Sequence, residues 1–360
     1  MSSDKQKLSV SLQLLSKTCT ALLNGLVSPT PPDQPLPLTS LHSDLLSLLA
    51  LLANDANKLV LVVYPPGMQP SFKAALAPLR DLTTHTSTLA SNAASFAPAT
   101  HGKALTSEVR DLTREVIQAI QELAVALIVF VDAPLRTTRD GKGKGEAHMV
   151  KVAAIHALID SARSSVNGVS SSNAQAVRKM WRERGLLVRD ALEELEDSGL
   201  PAGNDEEEEE EDEFDFGGPV SAEERAFKAQ LHAFVKRLLL TYEEVGAALF
   251  SLPAPDAAFD PLLDASSAIT RAVDELAACA YDGPEELPAR KKVIVKALKG
   301  IGKALDGIWE KSKATRDDEQ AKDKEEDEKV IKGSGPWFAA ELIELIKAVV
   351  AVQWPADLPK

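Results

Sequence analysis

The stretch NDEEEEEEDEFDF, residues 204–216, lies just past the middle of the chain and divides it into two parts. Its core, Asp205–Glu213, consists of acidic residues alone. Adjacent like charges repel, and the core has no apolar side chain whose burial could offset the entropy lost on ordering. We therefore expect residues 199–220 to form a disordered acidic linker.

The sequence on both sides of this linker predicts helices. Alanine and leucine supply most of its apolar content, which favours helices over strands. We expect an all-α fold of two antiparallel helical bundles of long helices, with domains at residues 1–198 and 221–360. A mixed-charge segment at about residues 312–333 is expected to be a frayed helix end or a disordered loop.

In the first domain, apolar residues recur three or four positions apart, and turn signals separate the runs. One helix is expected to be interrupted by the polar residues 54–58, with Asp55 close to its apolar face as a buried polar group. The predicted helices span about residues 8–25, 43–64, 71–94, 101–131, 146–166 and 174–198.

In the second domain, Ser221 and Glu224 form a capping-box pattern, in which each side chain satisfies a free backbone amide. This pattern predicts the start of a helix that ends at about Phe250. Proline-rich turns separate the helices that follow. These are predicted at about residues 260–281, 284–311 and 336–352.

The charge of the chain is concentrated in the linker. The formal net charge is −14, and Asp205–Asp215 contains ten acidic residues and no basic one. The rest has 40 Lys and Arg against 44 Asp and Glu (54 minus ten), a difference of −4. This near balance argues against general nucleic-acid binding.

Cysteine usage and the amino terminus indicate an intracellular protein. Cys19 and Cys279 are the only cysteines and form no disulfide framework, which favours a reducing compartment. The residues MSSDKQKLSV at positions 1–10 lack the apolar core of a signal peptide. The apolar run Leu123–Val131 is too short to span a bilayer.

No residue pattern predicts catalysis, a metal or a cofactor. The glycine- and lysine-rich residues 141–145 lack the spacer and the ending of a phosphate-binding loop. The six histidines show no metal-ligand spacing, and no serine or cysteine lies in a nucleophile elbow. Asp317-Asp318 begins like the DDxxD motif of a terpenoid synthase, but Ala321 replaces the last aspartate. We therefore predict a protein that is not an enzyme.

The charged face of the helix at residues 174–198 is the candidate partner site, together with the two phenylalanines of the linker. Charged side chains on that face could steer a basic partner, and acidic-aromatic alternation can form a docking peptide. The alternative is a solvated helix face and phenylalanines that dock on their own domain or do nothing. The candidate residues are Arg189, Asp190, Glu193, Glu194, Glu196, Phe214 and Phe216.

Two helical stretches and the position of the acidic linker resemble the cyclin-D-binding protein family, the GCIP or Maid-like helix-loop-helix regulators. The stretches are Ala53–Leu59, which runs into Val63-Tyr64-Pro65-Pro66, and Leu186–Glu196. The resemblance implies an all-helical, non-enzymatic regulator of the cell cycle or of transcription. It also implies binding of D-type cyclins and helix-loop-helix factors, without direct contact to DNA.

We accordingly expect a protein-binding regulator in the cytoplasm and nucleus that sequesters partner helices, with no cofactor and no membrane partner. The sequence leaves the partner's identity and the oligomeric state open. The alternative is a vinculin- or catenin-like structural adaptor of the cytoskeleton, since long antiparallel helices joined by proline-rich turns suit both classes. Actin cosedimentation distinguishes the two.

Overall fold

A computed structural model describes residues 3–27, 36–65, 69–132, 146–166, 168–197, 222–249, 258–282 and 287–319, together with Glu344 and Lys347. Within these ranges every regular element is a helix, so the predicted all-α fold is confirmed. The helices are α1 (Ser3–Gly25), α2 (Leu38–Val63), α3 (Phe72–Ala94), α4 (Pro98–His101), α5 (Lys103–Asp132), α6 (Glu146–Ala162), α7 (Asn173–Asp197), α8 (Ala222–Leu249), α9 (Asp260–Asp282) and α10 (Leu287–Glu319).

The chain divides into two compact units, Met1–Ala176 and Val177–Lys360, and the boundary falls inside α7. Most of α7 therefore groups with the second half of the chain. The acidic linker, with Phe214 and Phe216, lies outside the described residues. The arrangement of the chain as two bundles stays a prediction.

In the first unit, each long helix contacts at least two others. The contacting pairs are α1 with α3 and α5, α2 with α3 and α6, and α5 with α3 and α6. The pair α2 and α3 is antiparallel, because Ser71 N donates to Val62 O (3.2 Å) at one end and Asn92 Nδ2 donates to Leu41 O (3.3 Å) at the other. The core between these helices is mainly leucine, valine, isoleucine and alanine.

Helix α2 is continuous through residues 54–58, so the predicted break there is wrong. Asp55 is buried, as the sequence predicted, and its Oδ2 lies 2.6 Å from Nδ1 of His85 on α3. This bond supplies the partner that a buried carboxylate needs. By length and composition α2 could also cross a membrane, a test that a buried core helix passes as well, and 44% of its most apolar window is buried.

A short helix and a glycine precede α5, where the sequence predicted one helix from residue 101. Gly102 has φ of +85° and separates α4 from α5. A Cβ at this position would lie 1.9 Å from Cγ of Asn173, so the site accepts glycine only. The Asn173 Oδ1 in turn accepts a hydrogen bond from Leu105 N at 3.1 Å and caps the start of α5.

In the second unit, α8 contacts α9, and α9 contacts α10. The pair α9 and α10 is joined by the ion pair of Glu275 with Arg290 and by the close approach of Gly300 to Ala265, which makes the two helices antiparallel. Helix α10 continues to Glu319 and includes residues 312–319 of the predicted mixed-charge segment. The helix predicted at residues 336–352 lies outside the described residues, apart from Glu344 and Lys347.

Candidate functional site

Helix α7 carries five of the seven residues that the sequence predicts for partner binding. Its apolar stripe, which includes Val177, Val188 and Leu195, is buried. The periodicity of this stripe places the charged residues on the solvent-exposed side of the helix, as expected for an amphipathic helix. The contacts that hold α7 and the grooves beside it determine what those charged residues can contact.

A stacked aromatic pair holds α7 against α8. The rings of Trp181 and Tyr242 lie 4.0 Å apart, centroid to centroid, with an interplanar angle of 16°. The indole Nε1 of Trp181 donates to the backbone oxygen of Tyr242 at 2.9 Å. Burial raises the pKa of the Tyr242 phenol to about 12. The Trp181 side chain therefore combines a large buried apolar area with a hydrogen-bonded indole N–H.

A second anchor joins α7 to α9. The Nη1 atom of Arg184 donates to Leu263 O at 2.7 Å and also to the hydroxyl of Ser266, which is fully buried. Burial lowers the pKa of the Arg184 guanidinium. A guanidinium is well suited to this position, because its planar fork can serve two acceptors at once.

The groove between α7 and α8, which we name the arginine groove, has a volume of about 610 Å³. Its lining from α8 includes Glu243, which accepts a hydrogen bond from Arg189 Nη2 at 2.6 Å. Both side chains of this ion pair are about half exposed, so the pair contributes little to stability. The lining from α7 includes Arg178, Trp181, Arg182, Leu186 and Arg189.

Two glycines allow the helices that border this groove to approach closely. A Cβ at Gly246 of α8 would lie 3.1 Å from Nε1 of Trp181, and a Cβ at Gly185 of α7 would lie 3.7 Å from Cδ1 of Tyr242. The contact at Gly246 is tighter than ordinary van der Waals packing. A side chain at position 246 would therefore displace the Trp181 ring by a few tenths of an ångström, which the glycine avoids.

A second groove, which we name the mixed-charge groove, lies between α7 and α9 and has a volume of about 520 Å³. Asp190 and Glu194 of α7 line it opposite Arg271 and Asp274 of α9. Leu187 borders the same groove with 55% of its surface exposed. Two of the predicted residues therefore face α9, whereas Arg189 faces α8.

The other predicted residues lie elsewhere. Glu196 accepts a hydrogen bond from Nε2 of His232 at 2.8 Å, and Glu193 is exposed and borders neither groove. Carboxylates in the last turn oppose the helix dipole, and the histidine contact partly offsets that cost for Glu196. The structure thus distributes the predicted residues over several surroundings, and their role in partner binding stays a prediction.

Sequence reasoning missed the residues that give the arginine groove its character, Arg178, Arg182 and Tyr242. Positions 178, 182 and 189 share one face of a helix, so the spacing contained a signal for a basic stripe. The contribution of α8 had no such signal, because Tyr242 and Gly246 lie more than 50 residues away in sequence.

Burial shifts the pKa of side chains in the described part of the first unit, among them His148 and Cys19. His148 packs against Tyr64 and Phe130, with ring centroids 4.8 and 5.8 Å away, and burial lowers its pKa. Burial also raises the pKa of the Cys19 thiol to about 12, which leaves it protonated at neutral pH. Within the described ranges, no group of three or more His, Cys, Asp or Glu residues could hold a metal ion.

Comparison with known proteins gives a family match over the region that includes α7. The family model described as Grap2 and cyclin-D-interacting, N-terminal, matches residues 44–199, from within α2 to just past the end of α7. No curated protein matches the chain. The family resemblance inferred from the sequence is therefore confirmed for residues 44–199, which are similar to the N-terminal domain of the Grap2 and cyclin-D-interacting family.

Proposed function

We propose that this chain is a non-enzymatic regulator that binds and sequesters partner proteins in cell-cycle or transcriptional control. The observation that carries the proposal is the family match over residues 44–199, since the family is named for interaction with cyclin D. Candidate partners are D-type cyclins and helix-loop-helix factors. The proposed places of action are the cytoplasm and the nucleus.

The surroundings of α7 support a role in protein binding. Leu186 borders the arginine groove and Leu187 borders the mixed-charge groove, and each side chain is more than half exposed. Apolar side chains exposed beside a groove are typical of surfaces that receive a partner helix. Because the family match ends just past α7, both leucines lie inside the matched region.

The polar groups that hold α7 have structural tasks. Arg184 binds acceptors on α9, and Arg189 pairs with Glu243 on α8. The Arg184 bonds position α7 against α9, the Arg189 pair is a half-exposed surface contact, and we assign no proton transfer or nucleophilic attack to either. Binding alone is therefore the activity that we propose.

The proposal is tested by direct binding of the purified full-length chain to a purified D-type cyclin and, separately, to a purified helix-loop-helix protein. We expect saturable binding to at least one of them with Kd below about 10 µM, or about −7 kcal/mol. Biolayer interferometry measures this Kd. Failure of both proteins to bind at several times that concentration contradicts the proposal.

A matched pair of variants connects the binding to α7. Leu187→Asp places a charge beside the mixed-charge groove, and Leu240→Asp places one at an equally exposed position of α8 that borders neither groove. We expect Leu187→Asp to weaken partner binding and Leu240→Asp to leave it unchanged. Equal affinities for the two variants count against α7 as the binding helix.

A further inference from the structure

We propose that the arginine groove binds an acidic linear segment of a partner protein, with an apolar side chain of that segment set among its carboxylates. This inference rests on the proposed function and names the chemistry of one partner surface. It reverses the charge expected from the sequence, which pointed to a basic partner for α7.

The charge of the groove favours an acidic occupant. Arg178, Arg182 and Arg189 line it, and Glu243 is the one carboxylate among the residues identified as its lining. Arg182 makes no hydrogen bond or ion pair with the part of the chain that the structure describes. A local excess of arginine in a chain of net charge −14 provides a site that attracts carboxylates against the overall charge.

The apolar lining of the groove favours an apolar side chain beside those carboxylates. Leu186 is 51% exposed at the groove, next to the stacked pair of Trp181 and Tyr242. Both aromatic side chains are buried, so Leu186 provides the apolar contact, and the arginines provide the polar contacts that are enriched at the centres of binding energy in protein interfaces. A guanidinium also matches a carboxylate with two parallel hydrogen bonds, which gives the site directional specificity.

The short length of chain between the linker phenylalanines and α8 favours a partner protein over the chain's own acidic stretch as the source of the apolar side chain. Gly246, which contacts Trp181, lies roughly 24 residues beyond the start of α8 at Ala222, or about 36 Å of helix. Phe214 is roughly eight residues before Ala222, and eight extended residues span at most about 29 Å. Residues 205–211 are farther from Ala222 along the chain, so this distance does not exclude their carboxylates from the groove. The backbone at the linker phenylalanines therefore falls short of Gly246, whereas a segment of another protein has no such limit, so we assign the apolar anchor to another protein.

The test uses a fluorescein-labelled synthetic peptide with the sequence of residues 205–216, DEEEEEEDEFDF, added to the full-length chain. Free in solution, this peptide can place its phenylalanines and its carboxylates in the groove together. Fluorescence anisotropy gives its Kd. We expect saturable binding that weakens as salt rises, and about tenfold weaker binding of a peptide with both phenylalanines replaced by serine.

The protein variants are Arg182→Glu and its control Arg80→Glu, an arginine of α3 that is 80% exposed. We expect Arg182→Glu to weaken peptide binding about fivefold or more and Arg80→Glu to change it less than twofold. Leu186→Asp provides a second variant in the groove, with the same expected direction. Circular dichroism and thermal melting of each variant verify that it is folded.

Three results overturn the proposal. Equal peptide affinities for Arg182→Glu and Arg80→Glu remove the groove from the interaction. Equal affinities for the two peptides would show that the phenylalanines do not contribute and that attraction between charges alone explains the binding. Binding seen solely in a variant that lacks residues 205–216 means that the chain's own segment already fills the groove. Cyclin and helix-loop-helix binding is measured separately, so failure of the proposed function remains distinguishable from failure of this inference.

Discussion

Helix α5 of the first unit and helix α7, most of which belongs to the second, are both long and amphipathic, but neighbours cover them differently. Helix α5 contacts α1, α3, α4 and α6, and its buried residues run from Ala104 to Val131. Helix α7 is held at Trp181 and Arg184 and has a groove on each side. On this difference we base the proposal that α7, rather than α5, is the helix that binds partners.

The largest expected effect concerns the aromatic anchor of α7. Trp181→Ala removes the stack on Tyr242 and the hydrogen bond to its backbone oxygen. We expect the free energy of unfolding of the second unit to fall by about 3–5 kcal/mol. Urea denaturation followed by circular dichroism measures the change. Leu240→Ala, on an exposed side chain of α8, is the control and should cost less than about 0.5 kcal/mol. Similar losses for both variants would contradict the assigned role of Trp181.

The next effect compares two arginines on the same helix. Arg184→Met removes the donor to the Ser266 hydroxyl oxygen and leaves Leu263 O with the Ser266 hydroxyl as its remaining side-chain donor, and we expect a loss of about 2 kcal/mol in the free energy of unfolding. Arg182→Met removes an exposed side chain and should change it by less than about 0.5 kcal/mol. The same urea titration measures both variants. A larger loss of unfolding free energy for Arg182→Met than for Arg184→Met would contradict the assignment of Arg184 as the anchor of α7.

In the first unit, the bond between Asp55 and His85 is the corresponding polar contact. His85→Ala leaves the buried Asp55 carboxylate without this donor, and we expect a loss of about 1–3 kcal/mol. The double variant Asp55→Leu/His85→Ala should lose less than the sum of the two single variants, because no unpaired carboxylate remains. A double-mutant cycle in urea measures this coupling. Strictly additive losses would show that the two side chains do not interact.

The smallest effect is the pH dependence of the first unit. Burial lowers the pKa of His148 below its usual 6.5, so the folded state holds the ring neutral while the unfolded chain takes up a proton. The stabilisation is therefore complete above pH 6.5 and decreases as the pH falls, by at most about 1.4 kcal/mol per pH unit. Unfolding at pH 7.5 and 5.5 should show a smaller pH dependence for His148→Gln than for wild type. An unchanged dependence would exclude His148 as its source.

Much of the helical architecture could be predicted from the sequence, because local periodicity governs where helices form. The stripes of α3, α5 and α7 predicted those helices to within a few residues, since each buries one face. The predicted break in α2 failed because His85, about 30 residues away, provides the bond that makes Asp55 tolerable inside a helix. The break at Gly102 was missed for a similar reason, since the positive φ of this glycine and the approach of Asn173 are features of the folded chain alone.

The grooves could not be predicted, because each is formed by helices that are distant in sequence. Arg189 and Asp190 are neighbours in the chain, but the structure places one beside α8 and the other beside α9. A sequence pattern identifies the exposed face of a helix. It does not specify which neighbouring helices divide that face.

The central claim, that α7 is the partner-binding helix, is tested most directly by hydrogen–deuterium exchange of the full-length chain with and without a saturating D-type cyclin or helix-loop-helix protein. We expect slower exchange in peptides from α7 and from the flanking parts of α8 or α9, with α5 unchanged. Protection confined to α5 and its neighbours α1 and α6, with α7 unaffected, would contradict it.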